Sequence, residues 1–267
     1  MDFLDSRSYR DENKIGYYFG KDLEALTEAG KVVKKVRDIL VNSALPGKTT
    51  SYLNNLALKL LKEEQAQPLF YGYEGFPAYI CVSCNEDVVH GLPTKRKLKK
   101  GDVLSIDIGV RTEKGYCSDS ARTIIVGGVS SKHYTLIEAA EESFNAGFNF
   151  VKQGVTLGDV GHEIHKKLLS YRDQDGRSIF GVFNKFSGHG IGHDLHEAPP
   201  VYNYGIQGRG LLFKPGMSFC IEPVIMYANS RISKKKDCFT YSTNDNKPSS
   251  HYENHIYLTE SGPTILS

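Results

Sequence analysis

The sequence predicts an α+β fold built from two similar halves related by a pseudo-twofold axis. An antiparallel, curved sheet is expected to be shared between the halves, with helices covering its outer face. Three observations carry this expectation. Helical and extended segments follow one another in the same order twice along the chain. The segment GKTTSYLNNLALKLL from Gly47 resembles GVTLGDVGHEIHKKL from Gly154, with Gly47 opposite Gly154, Thr49 opposite Thr156, Lys59 opposite Lys166 and Leu61 opposite Leu168, and an internal repeat of this kind changes the expected architecture. Hydrophobic residues make up 40% and charged residues 24% of the 267, the balance of a soluble globular chain, and no stretch approaches the length needed to span a bilayer.

In chain order, residues 1–20 read as a polar N-terminal tail, MDFLDSRSYRDENK in its first part. Residues 21–267 read as one domain with halves at about 21–128 and 129–267. Residues 22–45 place Leu23, Leu26, Val33, Val36, Ile39 and Leu40 at helical spacing, and Pro46-Gly47 ends that helix. Thr49, Thr50 or Ser51 can cap a second helix carrying Leu53, Leu56, Leu60 and Leu61. Strands are expected at 79–83, 103–110 and 116–126, with Glu113-Lys114-Gly115 turning the last two into a hairpin. Gly127-Gly128 closes this section. The second half is expected to hold helices at 132–152 and 156–169, then strands around 183–186, 218–226, 238–242 and 252–258.

A formal net charge of +2 argues for neither a nucleic acid nor an acidic partner. Two local basic runs, residues 95–100 (KRKLKK) and 234–236 (KKK), read first as solvated loops and second as a weak docking patch for a polyanion such as ribosomal RNA. The N-terminus has neither the apolar core of a signal peptide nor an Arg-rich amphipathic pattern, so a cytoplasmic protein without membrane attachment is expected. Five cysteines, at 81, 84, 117, 220 and 238, fit reduced thiols better than a disulfide framework. Cys81 and Cys84 form a C-x-x-C with no second pair at zinc-site spacing, and alternate strand positions are the simpler reading.

The chemistry is carried by five side chains in distinctive contexts: Asp107 in SIDIG, Asp119 in YCSDSA, His189 in GHGIG, Glu222 in CIEP and Glu253 in HYENH. Hard oxygen donors plus one imidazole suit a pair of divalent first-row ions, which can activate water and hold the atoms it attacks. An Asp among β-branched residues is costly to bury unless paired or metal-bound. On one hairpin, Asp107 and Asp119 would repel unless a cation or proton lay between them. Gly188, Gly190 and Gly192 disfavour a helix through His189, His193 and His196, so this segment reads as an extended, glycine-rich loop. A phosphate-cradling loop is the rival, but the Lys and following helix are missing. Pro223 is expected to end or bulge its strand beside Glu222, Glu253 is placed in the last strand, and His90 is placed where a strand exits into a turn.

Taken in order, NEDVVHGLP, DIG, SDSA, GHGIG, HEAP, IEP and YENH resemble the methionine aminopeptidases of the short bacterial type I, from about residue 23 to 265. The resemblance implies the pita-bread fold and removal of N-terminal methionine by a dinuclear centre of Co, Mn, Fe(II) or Zn. By the same resemblance Asp107, Asp119, His189, Glu222 and Glu253 are the ligands. Asp119 and Glu253 would bridge the ions, Asp107 would belong to one, and His189 and Glu222 to the other. Glu222 is then the general base, while His90 and His196 touch the substrate amide and the developing oxyanion. Phe70, Tyr73, Phe76, Cys81, Leu195 and Phe239 would line the methionine pocket. Leu195 stands where relatives often carry an aromatic and Phe239 where many carry Trp, which bears on pocket shape rather than on metal chemistry. The substrates implied are nascent chains in which a small residue follows Met, the protein acting as a monomer. Two other readings compete: a proline-cleaving relative, which would carry a sizeable preceding domain, and a non-enzymatic binding module, which would have lost ligands.

Overall fold

The computed structural model describes residues 8–129 and 132–267. The first half contains β1 (Tyr9–Arg10), β2 (Gly16–Tyr17), α1 (Gly20–Ser43), α2 (Thr50–Glu63), β3 (Ala66–Pro68), β4 (Cys81–Cys84), β5 (Asp87–Val89), β6 (Val103–Thr112) and β7 (Cys117–Ile125). The second contains α3 (Tyr134–Phe150), α4 (Leu157–Leu169), β8 (Phe180–Val182), β9 (Gly188–Gly190), β10 (Glu197–Val201), β11 (Ser218–Ile221), β12 (Val224–Tyr227), β13 (Ile232–Lys234), β14 (Tyr241–Thr243), β15 (Ser249–His251), β16 (Asn254–Thr259) and β17 (Gly262–Ile265). The ladders are antiparallel. They run β3-β6-β4 with β7 on β6 in the first half and β10-β9-β11-β16-β17 in the second. No helix among the described residues is long and apolar enough to cross a membrane.

The helices form where periodicity and caps coincide, and the repeat shows in their entry geometry. Gly47 and Gly154 both adopt left-handed backbone, φ 87° and 84°, which glycine adopts without strain. Each donates its N–H across to the following segment, Gly47 to Leu98 O at 2.8 Å and Gly154 to Phe213 O at 3.1 Å. Thr49 and Thr156 then cap α2 and α4, accepting from the N–H of Tyr52 and of Asp159, both at 3.1 Å. Leu61 and Leu168 are fully buried, while Lys59 and Lys166 pair outside with Glu63 and Glu163.

α1 crosses β6 and β7, and α3 and α4 lie together over β8, β12 and β15. One core joins Val33, Leu40, Leu53 and Leu61 to Leu104 and Ile106; the other joins Phe144 and Ile164 to Phe219 and Ile256. Each fully buried Leu or Ile contributes about 1.5–3 kcal/mol. Residues 8–19, within the stretch expected to be a tail, lie against the second half. Tyr17 and Tyr18 are buried, and Tyr18 donates to Glu197 at 2.7 Å; residues 1–7 fall outside the described residues.

Several strand expectations are corrected. The strand expected at 183–186 is β8, three residues earlier, because Gly181 and Val182 pair with β12, and Asn184-Lys185 turn the chain toward β9. The segment from Cys238 is a turn: Cys238 has φ 67°, and the Asp237 carboxylate accepts from the N–H groups of Phe239 and Thr240, both at 2.9 Å. β14 therefore starts only at Tyr241. The glycine-rich segment at His189 is not a loop but a buried strand, β9. Its glycines let it fit, since a side chain on Gly188 or Gly190 would run into the carbonyls of Cys220 and Ala198.

Candidate metal centre

The β6–β7 hairpin supplies the first two carboxylates. Asp107 pairs with Ala121 and Asp119 with Gly109, so the acidic residues lie two positions apart on one face of the ladder. Gly109, the glycine of DIG, is set by space: a Cβ there would stand 2.8 Å from the Phe70 ring. Asp119 accepts from Ser120 N–H at 2.8 Å, and Asp107 Oδ1 is buried with no hydrogen-bond partner.

Glu222 and Glu253 occupy matched breaks in one antiparallel pair. β11 pairs with β16 up to Ile221 and Asn254, and β12 pairs with β15 from Val224 and His251. Between these ladders stand Glu222-Pro223 on one strand and Tyr252-Glu253 on the other. Pro223 has no N–H to give a ladder, as expected from the sequence. Glu253 therefore lies at a break and not within the last strand. Its own N–H crosses to Ala121 O of β7 at 3.1 Å, and its carbonyl accepts from Ser120 Oγ at 2.8 Å and Arg122 Nη1 at 2.6 Å. These bonds bring the second half's carboxylates onto the face that carries Asp107 and Asp119.

His189 enters from β9. Its Nδ1 donates to Gly190 O at 3.0 Å, which leaves Nε2 free to act as a base or ligand. That atom stands 3.6 Å from Glu222 Oε1 and 3.9 Å from Glu253 Oε1. Burial pushes His189 down to about 3, so the ring is neutral. Burial raises all four carboxyls, Asp119 to about 7 and Glu222 to about 8, with mutual repulsion adding to the rise for Asp107, Asp119 and Glu253. Four acids gathered here need protons or cations between them.

Among the described residues, two donor sets have ligand atoms within 4.8 Å of one another: Asp107, Asp119 and Glu253, and His189, Cys220 and Glu253. Glu253 belongs to both. Glu222 stands beside the second set, and Cys220 completes it. Among the described residues, Asp107 Oδ1, Glu253 Oε1 and His251 Nε2 are buried without hydrogen-bond partners, a cost that a cation beside them would relieve. The donor set fits divalent ions on these grounds.

The centre forms the floor of a cavity of about 410 Å³. Every residue expected from the sequence lines it: the five donors, His90 and His196, and Phe70, Tyr73, Phe76, Cys81, Leu195 and Phe239. His90 turns out of β5 with φ 56°, its ring packed edge-on to Phe186 at 5.0 Å, and burial lowers it to about 4. His196 Nδ1 shares a hydrogen bond with Tyr73 Oη at 2.7 Å, and its ring meets His189 edge-on at 4.4 Å. One wall is a separate apolar cluster of Phe70, Phe76, Cys81, Leu195, Cys220 and Phe239, with Phe76 edge-on to Phe239 at 5.5 Å. Aromatic rings and thiols suit a flexible thioether. The C-x-x-C pair does not act together, since Cys81 faces the cavity and Cys84 the first-half core.

Sequence reading missed Glu74, Lys234, Cys220 and His251. The last two carried a signal: each lies two residues before a candidate ligand, Glu222 or Glu253, and extended chain returns to the same face every second residue. Lys234 was read within a solvated run, yet it lines the cavity.

Residues 24–260 match the model of metallopeptidase family M24. The chain is 38% identical over 247 residues to a methionine aminopeptidase of Clostridium acetobutylicum, covering 92% of this chain and 96% of that one. The solved methionine aminopeptidase of Rickettsia prowazekii superposes with a TM-score of 0.89 at 33% identity, covering 94% of this chain and 99% of that one. That of Thermotoga maritima gives a TM-score of 0.87 at 35% identity, covering 94% and 98%.

Proposed function

The chain belongs to metallopeptidase family M24 and is a metal-dependent hydrolase that removes N-terminal methionine; from this premise we propose which residues perform the reaction and on what. The observation that carries the proposal is the convergence of Asp107, Asp119, Glu222, Glu253 and the His189 imidazole with a thiol–aromatic wall on a single cavity. Asp107, Asp119, His189, Glu222 and Glu253 would hold the divalent ions, and Glu253 belongs to both close donor sets. When bound, such ions make water acidic enough to attack and polarise the scissile carbonyl. The Glu222 carboxylate takes the proton of the attacking water. His90 and His196 face the scissile amide and stabilise the charge developing on its oxygen. Tyr73 holds the His196 ring by its Nδ1. Phe70, Phe76, Cys81, Leu195 and Phe239 receive the methionine side chain.

Substrates in this reading are nascent chains whose methionine precedes a small residue, met in the cytoplasm, where free thiols such as Cys238 stay reduced. Purified protein loaded with Co, Mn or Fe(II) is expected to release methionine from Met-Ala and Met-Gly peptides, and chelation is expected to abolish release. Cleavage of X-Pro peptides without methionine release would overturn the substrate assignment. Which ion serves in the cell follows availability as much as ligand type.

The two basic runs meet across Asp87, which pairs with Lys235 and also feels the charge of Arg96. Lys234 lines the cavity. We read this surface as a weak ribosome contact that presents emerging N-termini to the site. Co-sedimentation with ribosomes at low salt, lost at high salt and weakened by Lys236→Glu, is expected; binding indifferent to salt and to this change would remove the contact.

A further inference from the structure

The strand pair that carries Glu222 and Glu253 also carries a second imidazole. His251 lies opposite Val224, and its main chain is clamped by one hydroxyl. Thr123 Oγ1 accepts from His251 N–H at 2.8 Å and donates to its carbonyl at 2.9 Å. The side chain is buried, and Nε2 has no hydrogen-bond partner. It stands 3.5 Å from Glu222 Oε2 and 3.8 Å from Glu253 Oε2. His189 Nε2 stands 3.6 Å from Glu222 Oε1 and 3.9 Å from Glu253 Oε1. Each imidazole thus faces one oxygen of each carboxylate, at nearly the same separations.

These separations are too long for a hydrogen bond, which closes at about 2.9 Å. They match two donors on one ion: ligand atoms about 2.0–2.1 Å from a metal and near the tetrahedral angle stand roughly 3.4 Å apart. A histidine retained for packing looks different in this protein. His255, fully buried on β16, has both ring nitrogens engaged, Nδ1 with Ser118 Oγ at 2.9 Å and Nε2 with Ser218 Oγ at 2.7 Å. Burying a polar nitrogen with no partner is costly, and the cost at His251 is removed if the atom meets a cation.

We propose that His251 is a further protein ligand of the metal centre, its Nε2 binding an ion together with the second oxygen of Glu253. The proposal rests on the assignment of Glu222, Glu253 and His189 as ligands. A second imidazole moves the centre toward nitrogen-preferring ions, so Co(II) and Zn(II) gain on Mn(II) compared with a one-histidine site.

X-ray absorption on the Co(II)-loaded protein tests this, because imidazole rings leave an outer-shell scattering signature that can be counted without reference to activity. Two imidazoles per protein are expected in the unaltered chain, and one in either His251→Gln or His189→Gln. Titration calorimetry of the His251→Gln protein with Co(II) is expected to show affinity lower by at least about tenfold. If the unaltered protein shows a single imidazole that His189→Gln removes, the assignment of His251 is overturned while the centre itself stands. If His189→Gln leaves the signal unchanged, the underlying ligand set falls, and His251 with it. The count in the unaltered protein decides the question even if a variant folds poorly.

Discussion

Replacing Glu253 by Gln is expected to abolish methionine release and to empty both ion positions. Glu253 is the one residue common to the two close donor sets, so its loss weakens each at once. Removing its charge also leaves an amide N–H₂ where a cation should bind. A fall in kcat/KM of at least about a thousandfold, near 4 kcal/mol of transition-state stabilisation, is expected. Metal analysis should find the protein stripped of both ions. His196→Ala makes the contrast. Its Nδ1 is engaged by Tyr73, so turnover should fall about a hundredfold with the bound metal unchanged. Full activity in Glu253→Gln would end the two-ion assignment, and metal loss in His196→Ala would make that residue a ligand.

Without ions, the protein is expected to lose stability as pH rises from about 6.5 to about 8. Asp119 and Glu222 carry folded-state values of about 7 and about 8, and Asp107 and Glu253 are raised well above the ordinary range. In the unfolded chain the same groups ionise near 4. The folded state therefore holds protons that the unfolded state has released. Stability from these groups is fully present below about pH 4 and is lost as pH rises through the folded values, at about 1.4 kcal/mol per pH unit for each proton. Buried histidines act in the opposite sense and lower down. His189 and His255 at about 3, and His90 and His251 at about 4, make stability rise with pH only until the unfolded value near 6.5. Above that the carboxyls act alone. Thermal unfolding in EDTA should show a midpoint that falls between pH 6.5 and 8. Added Co or Mn should raise the midpoint, and more so at pH 8, because ligands must be deprotonated to bind. A flat curve in EDTA would mean that the four acids do not depend on a cation.

Legibility varied with the range of the interactions involved. α2 and α4 could be read with their caps because Thr49, Thr156 and the leucines that follow act within a few turns. The strands at 183–186 and 238–242 were misplaced because strand limits depend on partners far along the chain: β12 claims Gly181 and Val182, and Asp237 ties up the N–H groups that would have started a strand at Cys238. The break at Pro223 was legible, since proline lacks the N–H whatever lies opposite. The facing break at Glu253 was not, since it is imposed by that partner.

By itself the sequence determined which residues gather at the cavity. Hard carboxylate donors and an imidazole are properties of residue type, and their contexts at Asp107, Asp119, His189, Glu222 and Glu253 mark them out in one dimension. Only the tertiary structure decided which of them stand close together, that Glu253 is common to both close sets, that Cys220 completes one of them, and that His251 faces Glu222 and Glu253. The reason is physical. Like charges gather only where strand pairing forces them together, and that pairing, from Glu253 N–H to Ala121 O across the two halves, is a contact between distant segments that no local pattern of residues encodes.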